Sequence, residues 1–240
     1  MLKTRVIPIV TYDGQTAVQT VKFGRPRSIG SMQQALSVYE RRACDELVIL
    51  DIAATKQERS PRLPEMRSFG DNIFCPLTIG GGITTCEEDC ELIRNGADKV
   101  VIGAAATIRL IRTCAEKLGS QAVTAALDCP GEAGDKRALT TVVALASFME
   151  TAGAGEILLT SIPRQGTRQG YDLDLITVIS QVVKVPVVAN GGCGEPRHMA
   201  EALYAGAHAA AAGTMFAFTH HTPRSCAEAL HREGLKVRLD

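Results

Sequence analysis

The sequence predicts an α/β fold: one (βα)8 TIM barrel spanning residues 1–240, made of two similar half-barrels of about 1–119 and 120–240. Three observations predict it. Apolar runs alternate with helix-period segments eight times along the chain, the pattern of parallel strands joined by crossover helices. The apolar runs are unbroken, as in strands covered on both faces. The chain also repeats itself: LTIGGGITTCEEDCELIRNGADKVVIGAA from Leu77 returns as VVANGGCGEPRHMAEALYAGAHAAAAGTM from Val187, and DELVILD from Asp45 returns as GEILLTS from Gly155, all at one offset. A twofold repeat of four βα units closes naturally into a barrel. An open doubly wound sheet is the alternative and should lack this symmetry.

In chain order, Arg5–Val10 is a short apolar strand ending at the turn signal Thr11-Tyr12-Asp13-Gly14. Residues 14–30 are polar, carry Lys22, Arg25 and Arg27, and are long for a connection, which suggests a mobile functional loop. Ser31–Arg42 places Met32, Ala35, Leu36 and Tyr39 on one helical face. Glu46–Asp51 is the second strand; a polar stretch and a short helix, Pro64–Phe69, follow. Phe74–Ile79 and Lys99–Ile102 are the third and fourth strands, with helices over Thr85–Asn95 and Thr107–Leu118. The second half offers strands at Ala122–Leu127, Glu156–Thr160, Val185–Ala189 and Ala209–Ala212. Its helices are Thr140–Thr151, Asp172–Val182, Pro196–Tyr204 and Pro223–Glu233.

Composition narrows the function. The 26 basic and 26 acidic residues cancel, so no nucleic-acid partner is expected. No apolar run is long enough to span a membrane, and the opening MLKTRVIPIV is too short for a signal peptide. Aromatics are 4% with no Trp, which disfavours a base-stacking surface. The eight scattered cysteines read as reduced thiols of a cytoplasmic protein. Cys86 and Cys90 stand one helical turn apart with no nearby histidine, so no metal site is expected there; no cofactor is expected. His220 and His221 read as surface loop residues.

Chemistry in a barrel of this kind gathers where strands end and βα loops begin. Gly80-Gly81-Gly82, Gly103, Gly191-Gly192 and Gly213-Thr214 all fall there. Glycine lets a backbone N–H approach an anion, and the following helix N-terminus favours negative charge. Tight turns alone would explain one such pair. Two matched pairs half a barrel apart favour a ligand with a phosphate at each end.

Motifs along nearly the whole chain carry a resemblance: RVIP at Arg5, DELVILDI at Asp45, IGGGI at Ile79, GADKVVI at Gly96, LGSQAV at Leu118, GAGEILLTSI at Gly153, GYDLDLI at Gly170 and the ending GLKVRL. Together they resemble the HisA/HisF family of phosphate-binding barrels, and GAGEILLTSI and LGSQAV resemble its HisF branch, the cyclase subunits of imidazole glycerol phosphate synthase. The resemblance implies a lyase that uses ammonia from a glutaminase partner, HisH, to cleave a phosphoribulosyl intermediate and close an imidazole ring. It implies substrate or phosphate contacts at Asp51, Gly81, Gly82, Gly103, Ala104, Thr160, Ser161, Asn190, Gly191, Gly192, Gly213 and Thr214. From the chemistry of its own side chain Asp51 is as well suited to capping a turn as to binding a sugar hydroxyl. The resemblance also implies an ammonia gate of Arg5, Glu46, Lys99 and Glu156 at the opposite end of the barrel, and a partner contact at Asp98.

The general acid and base of the family are two aspartates. One matches Asp128; the other falls at Thr11, whose hydroxyl does not titrate near neutrality. Asp13 is two residues on but matches the family's turn. The acidic SIDRDG of the family reads SIPRQG from Ser161, its Asn-Thr is Gly103-Ala104, its loop-one lysine is Gln19, and the segment between Asp128 and Glu156 is short. Divergent copies of this kind resemble barrels found in surface-polysaccharide gene clusters, where a sugar is amidated. The alternatives are a non-catalytic bisphosphate-binding activator of a glutaminase and, less well matched, the HisA ribotide isomerase.

Overall fold

The computed structural model describes residues 3–41, 44–70, 73–103, 107–131 and 134–239. The strands are β1 (Arg5–Tyr12), β2 (Ala17–Gln19), β3 (Arg27–Gly30), β4 (Leu47–Asp51), β5 (Leu77–Gly80), β6 (Lys99–Ile102), β7 (Val123–Cys129), β8 (Glu156–Ser161), β9 (Val187–Asn190) and β10 (Ala209–Ala212). The helices are α1 (Met32–Arg41), α2 (Leu63–Gly70), α3 (Cys86–Arg94), α4 (Ile108–Leu118), α5 (Lys136–Thr151), α6 (Leu173–Val182), α7 (Pro196–Tyr204), α8 (Thr214–Phe218) and α9 (Pro223–Arg232).

Eight strands, β1 and β4 to β10, run parallel and close on themselves, which excludes the open sheet. β1 makes the closure because it is long enough to serve two neighbours. Its first half, Arg5–Pro8, pairs with Ala209–Ala212 of β10, and its second half, Ile9–Tyr12, pairs with Val48–Asp51 of β4. That stagger is the shear a closed barrel requires.

Side chains alternate between two cores. Ile7, Ile9, Val48, Val101, Leu158, Val188, Ala209 and Ala211 fill the barrel interior. Leu47, Ile49, Ile79, Ile102, Leu127, Ile157 and Leu159 point outward beneath the helices and are buried there. Each such aliphatic side chain contributes about 1.5–3 kcal/mol through removal from water.

Several boundaries differ from the sequence reading. Thr11 and Tyr12 continue β1 instead of starting a turn. The segment read as a mobile loop contains β2 and β3, an antiparallel hairpin that extends β1 through Thr11–Val18 and Tyr12–Ala17 pairs. α5 starts at Lys136 because Asp135 accepts hydrogen bonds from the Arg137 and Ala138 amides. β5 starts only at Leu77, and the Phe74 assigned to it is 87% exposed. β7 runs through Cys129, so Asp128 lies within a strand. The short helix α8 occupies the last βα loop, where none was expected.

Candidate active site and the charged barrel floor

The C-terminal ends of the barrel strands surround a cavity of about 510 Å³, within the range of small-molecule sites. Thr11, Gly81, Gly82, Gly103, Asp128, Thr160, Asn190, Gly191, Gly192, Gly213 and Thr214 line it together. Ala104 lies outside the described residues.

Asp51 and Ser161 are placed differently from the sequence expectation, for one geometric reason. Side chains of a strand alternate in direction. Leu50 and Thr160 face the cavity, so the next residues, Asp51 and Ser161, face outward and do not line it. The Asp51 carboxylate accepts the Ala53 and Ala54 amides at 3.1 Å each and pairs with Arg59 Nη1 at 2.8 Å. It caps the turn after β4. The Ser161 hydroxyl is buried without a hydrogen-bond partner among the described residues.

The two glycine pairs adopt positive φ: +114° and +72° at Gly81 and Gly82, +91° and +111° at Gly191 and Gly192. Neighbouring backbone also demands glycine here. A Cβ on Gly81 would stand 2.2 Å from Asp51 O, and one on Gly192 would stand 2.1 Å from Gly170 O. Protein packing thus accounts for these glycines without a ligand. Gly103 is different: among the described residues an added Cβ would meet only the Ala126 Cβ, at 4.0 Å, and Gly103 lines the cavity.

Asp128 is the titratable group on the inner face of β7. Burial holds its pKa above the ordinary carboxylate value, opposed by a hydrogen bond with Thr160. Asn190 Nδ2 donates to Thr160 Oγ1 at 3.0 Å. The Thr160 oxygen is therefore an acceptor toward Asn190, and its own proton is available to Asp128. Thr11 is engaged elsewhere, since its hydroxyl donates to the Val18 carbonyl and helps fasten β2 to β1. Asp13 lines the cavity, with Oδ1 accepting the Gln15 and Thr16 amides at 2.9 and 2.8 Å.

Sequence reading missed a clamp across the cavity mouth. Gln165 Nε2 donates to Thr20 O and Thr20 Oγ1 at 3.1 and 3.0 Å, while its Oε1 accepts the Phe23 amide at 3.1 Å. Gly166 allows the approach, since a Cβ there would sit 2.3 Å from Thr20 O. The residues are separated by 145 positions, and no local pattern announces the contact. Gln19 Oε1 accepts the Thr214 hydroxyl at 3.1 Å, tying the hairpin also to the last βα loop.

At the opposite end, Arg5, Glu46, Lys99 and Glu156 form a closed ring of ion pairs. Arg5 reaches Glu46 at 2.6 Å and Glu156 at 2.5 Å; Lys99 reaches Glu46 at 3.0 Å and Glu156 at 3.5 Å. Thr78 donates to Glu46 Oε1 at 2.7 Å. Burial alone would raise the Glu46 pKa, but Lys99, Arg5 and Thr78 outweigh it and hold the pKa below the ordinary value. Asp98, beside this ring in sequence, is exposed, and its Oδ2 accepts the Leu77 amide at 2.8 Å.

Among the described residues no three or more His, Cys, Asp or Glu side chains are placed to hold a metal ion, and no helix is long and apolar enough to cross a membrane. His220 and His221 stack with ring centroids 4.2 Å apart and lie outside the cavity lining.

With this geometry in hand, comparison with known proteins gives a consistent result. The model of the family "Histidine biosynthesis protein" matches residues 5–222. Proteins named imidazole glycerol phosphate synthase subunit HisF are similar over the full length. That of Streptococcus mutans is 36% identical, covering 99% of this chain and 100% of its own. Those of Chlorobium phaeobacteroides and Thermococcus gammatolerans are 38% and 36% identical, each alignment covering 100% of both chains.

Proposed function

We infer the function from the premise that this chain belongs to the HisA/HisF-like histidine-biosynthesis barrel family, most of whose similar members are named HisF. We propose that it is a HisF-type barrel acting on a phosphorylated sugar or ribotide with ammonia supplied by a glutaminase partner. The substrate would span the cavity with its phosphates toward the Gly81-Gly82 and Gly191-Gly192 turns. Ammonia would enter past Arg5, Glu46, Lys99 and Glu156, and Asp98 would belong to the partner-facing surface. The observation that carries this reading is the pairing of two features on one axis: a cavity holding Asp128 at one end and a closed ring of four charges at the other.

Asp128 would supply the acid/base step. Its raised pKa brings its protonated form nearer the working pH, so it can both give and take a proton. Thr11 would not share that step, because its hydroxyl is committed to Val18 and does not titrate. Ring closure as the family performs it would then lack one of its two carboxylates, which favours a chemically simpler amination of a phosphorylated sugar or ribotide.

The test is a turnover assay with ammonia and the family's phosphoribulosyl intermediate. Wild-type turnover should fall far below that of Thr11→Asp. Turnover by the wild type at the level of its HisF relatives would overturn the role given to Thr11. The engagement of Thr11 by β2 also supports a second reading, a non-catalytic activator of a glutaminase. Product formation unchanged in Asp128→Asn would decide for it.

A further inference from the structure

The reading above uses none of the eight cysteines, yet two of them meet at the barrel floor. Cys44 lies three residues before β4 and Cys75 two residues before β5. These strands are parallel neighbours with Leu47 opposite Leu77, and the Leu47 amide donates to Pro76 O at 2.9 Å. The strand pairing therefore brings the two entering segments side by side. The sulfur atoms stand 3.2 Å apart, about 1.2 Å beyond a disulfide bond length.

Reactivity separates this pair from the rest. Cys75 is partly exposed, whereas the other seven cysteines are buried. A hydrogen bond from Cys44 lowers the Cys75 pKa and correspondingly raises that of Cys44. Cys75 is thus the accessible nucleophile and Cys44 its resolving partner. Cys86, Cys90 and Cys114 also lie close together, between α3 and α4, but all three are buried.

We propose that Cys44 and Cys75 are a redox modification site, forming a reversible disulfide under mild oxidation that fastens the entries of β4 and β5 beside Glu46. With a peroxide as oxidant, the Cys75 thiolate attacks one oxygen and becomes a sulfenic acid as the O–O bond breaks and hydroxide leaves. That hydroxide takes the Cys44 proton and becomes the first water; the Cys44 sulfur then attacks the Cys75 sulfur and breaks its S–O bond, and the oxygen leaves as the second water with the proton that Cys75 released to solvent on ionising. Two thiols and one hydrogen peroxide give one disulfide and two waters.

The full-length chain, treated with a small excess of hydrogen peroxide, alkylated and mapped without reduction, tests this. One cross-linked peptide should join Cys44 to Cys75 with the loss of two hydrogens. Dithiothreitol should reverse the link, and the other six cysteines should be recovered alkylated. In Cys44→Ser the sulfenic acid should persist at Cys75, giving a dimedone adduct several-fold above wild type. A different cysteine pair linking first, Cys75 ending as sulfinic acid in the wild type, no reaction at either residue, or equal adduct yields in the two proteins would each overturn the proposal.

Discussion

Replacing Glu46 by Gln keeps the side chain's shape and removes its charge, so it tests the barrel floor directly. Arg5 would keep only Glu156, at 2.5 Å, and Lys99 would keep Glu156 at 3.5 Å. Removing one partner of a buried ion pair costs about 3–5 kcal/mol. Here the Arg5 and Lys99 side chains are 25% and 20% exposed, and water offsets part of that loss, which brings the expectation to about 2–4 kcal/mol. Unfolding entropy of about 2.1 cal/mol/K per residue gives about 0.5 kcal/mol/K for this chain, so the Tm should fall by about 4–8 °C. Thermal melts at pH 7 followed by circular dichroism would measure it. The folded Glu46 binds its proton less readily than the unfolded chain does. Its stabilisation is therefore complete above the ordinary carboxylate pKa and fades as pH falls through the lower folded value. The two melts should converge in acid. A variant melting within about 1 °C of wild type at pH 7 would refute the claim that the ring is a coupled unit.

Three further outcomes follow from other polar groups. Burial of Asp89 within α3 pushes its pKa up to about 6, so its stabilising contribution is full below the ordinary carboxylate pKa and lost as pH rises through 6. Wild type measured against Asp89→Asn should lose about 2 kcal/mol between pH 4 and pH 7 in denaturant titrations, and a flat difference would refute it. Gln165→Ala should release the hairpin from the β8 loop and speed amide exchange at Phe23 and Lys22, at a cost of about 1–3 kcal/mol. Unchanged exchange would show that Gly166 packing alone holds the contact. Thr160→Val removes the one influence lowering the Asp128 pKa, so carboxyl carbon NMR should find that pKa higher than in wild type.

Much of this was legible because the fold is carried by period and repetition. Every barrel strand was located, since a buried parallel strand needs a continuous apolar run and the two halves confirm each other's register. The outward placement of Asp51 and Ser161 was readable in principle. If Glu46 and Glu156 face the axis, counting by twos reaches Leu50 and Thr160, and Asp51 and Ser161 must face away. The hairpin was less accessible: β2 has three residues and β3 four, too short for their alternation to show. The Gln165 clamp could not be read at all. Its partners meet only because β1 and β8 deliver their loops to the same end of a closed barrel, and side-chain amides bonding to backbone leave no compositional trace.

The floor of the barrel says more about function than stability alone would require. Glu46 and Glu156 occupy equivalent places in the repeated segments Asp45–Asp51 and Gly155–Ser161, whereas both cations, Arg5 and Lys99, come from the first half. Each cation touches both acids, so the ring is neutral and every member has two opposite charges beside it. Well-packed apolar residues of similar volume would serve a purely structural floor as well or better, by about 1–4 kcal/mol. Above the ring the interior is filled by Ile7, Val48, Val101, Leu158, Val188, Ala209 and Ala211, apolar packing that disfavours an ammonium ion far more than uncharged ammonia. On the proposed reading, a small neutral nitrogen donor would have to pass this polar ring and the apolar interior above it to reach Asp128. Replacing the ring by apolar residues of matched size should then preserve folding while abolishing product formation driven by glutamine, which a co-purified glutaminase assay would register. Full glutamine-driven turnover through an apolar floor would remove the case for transit.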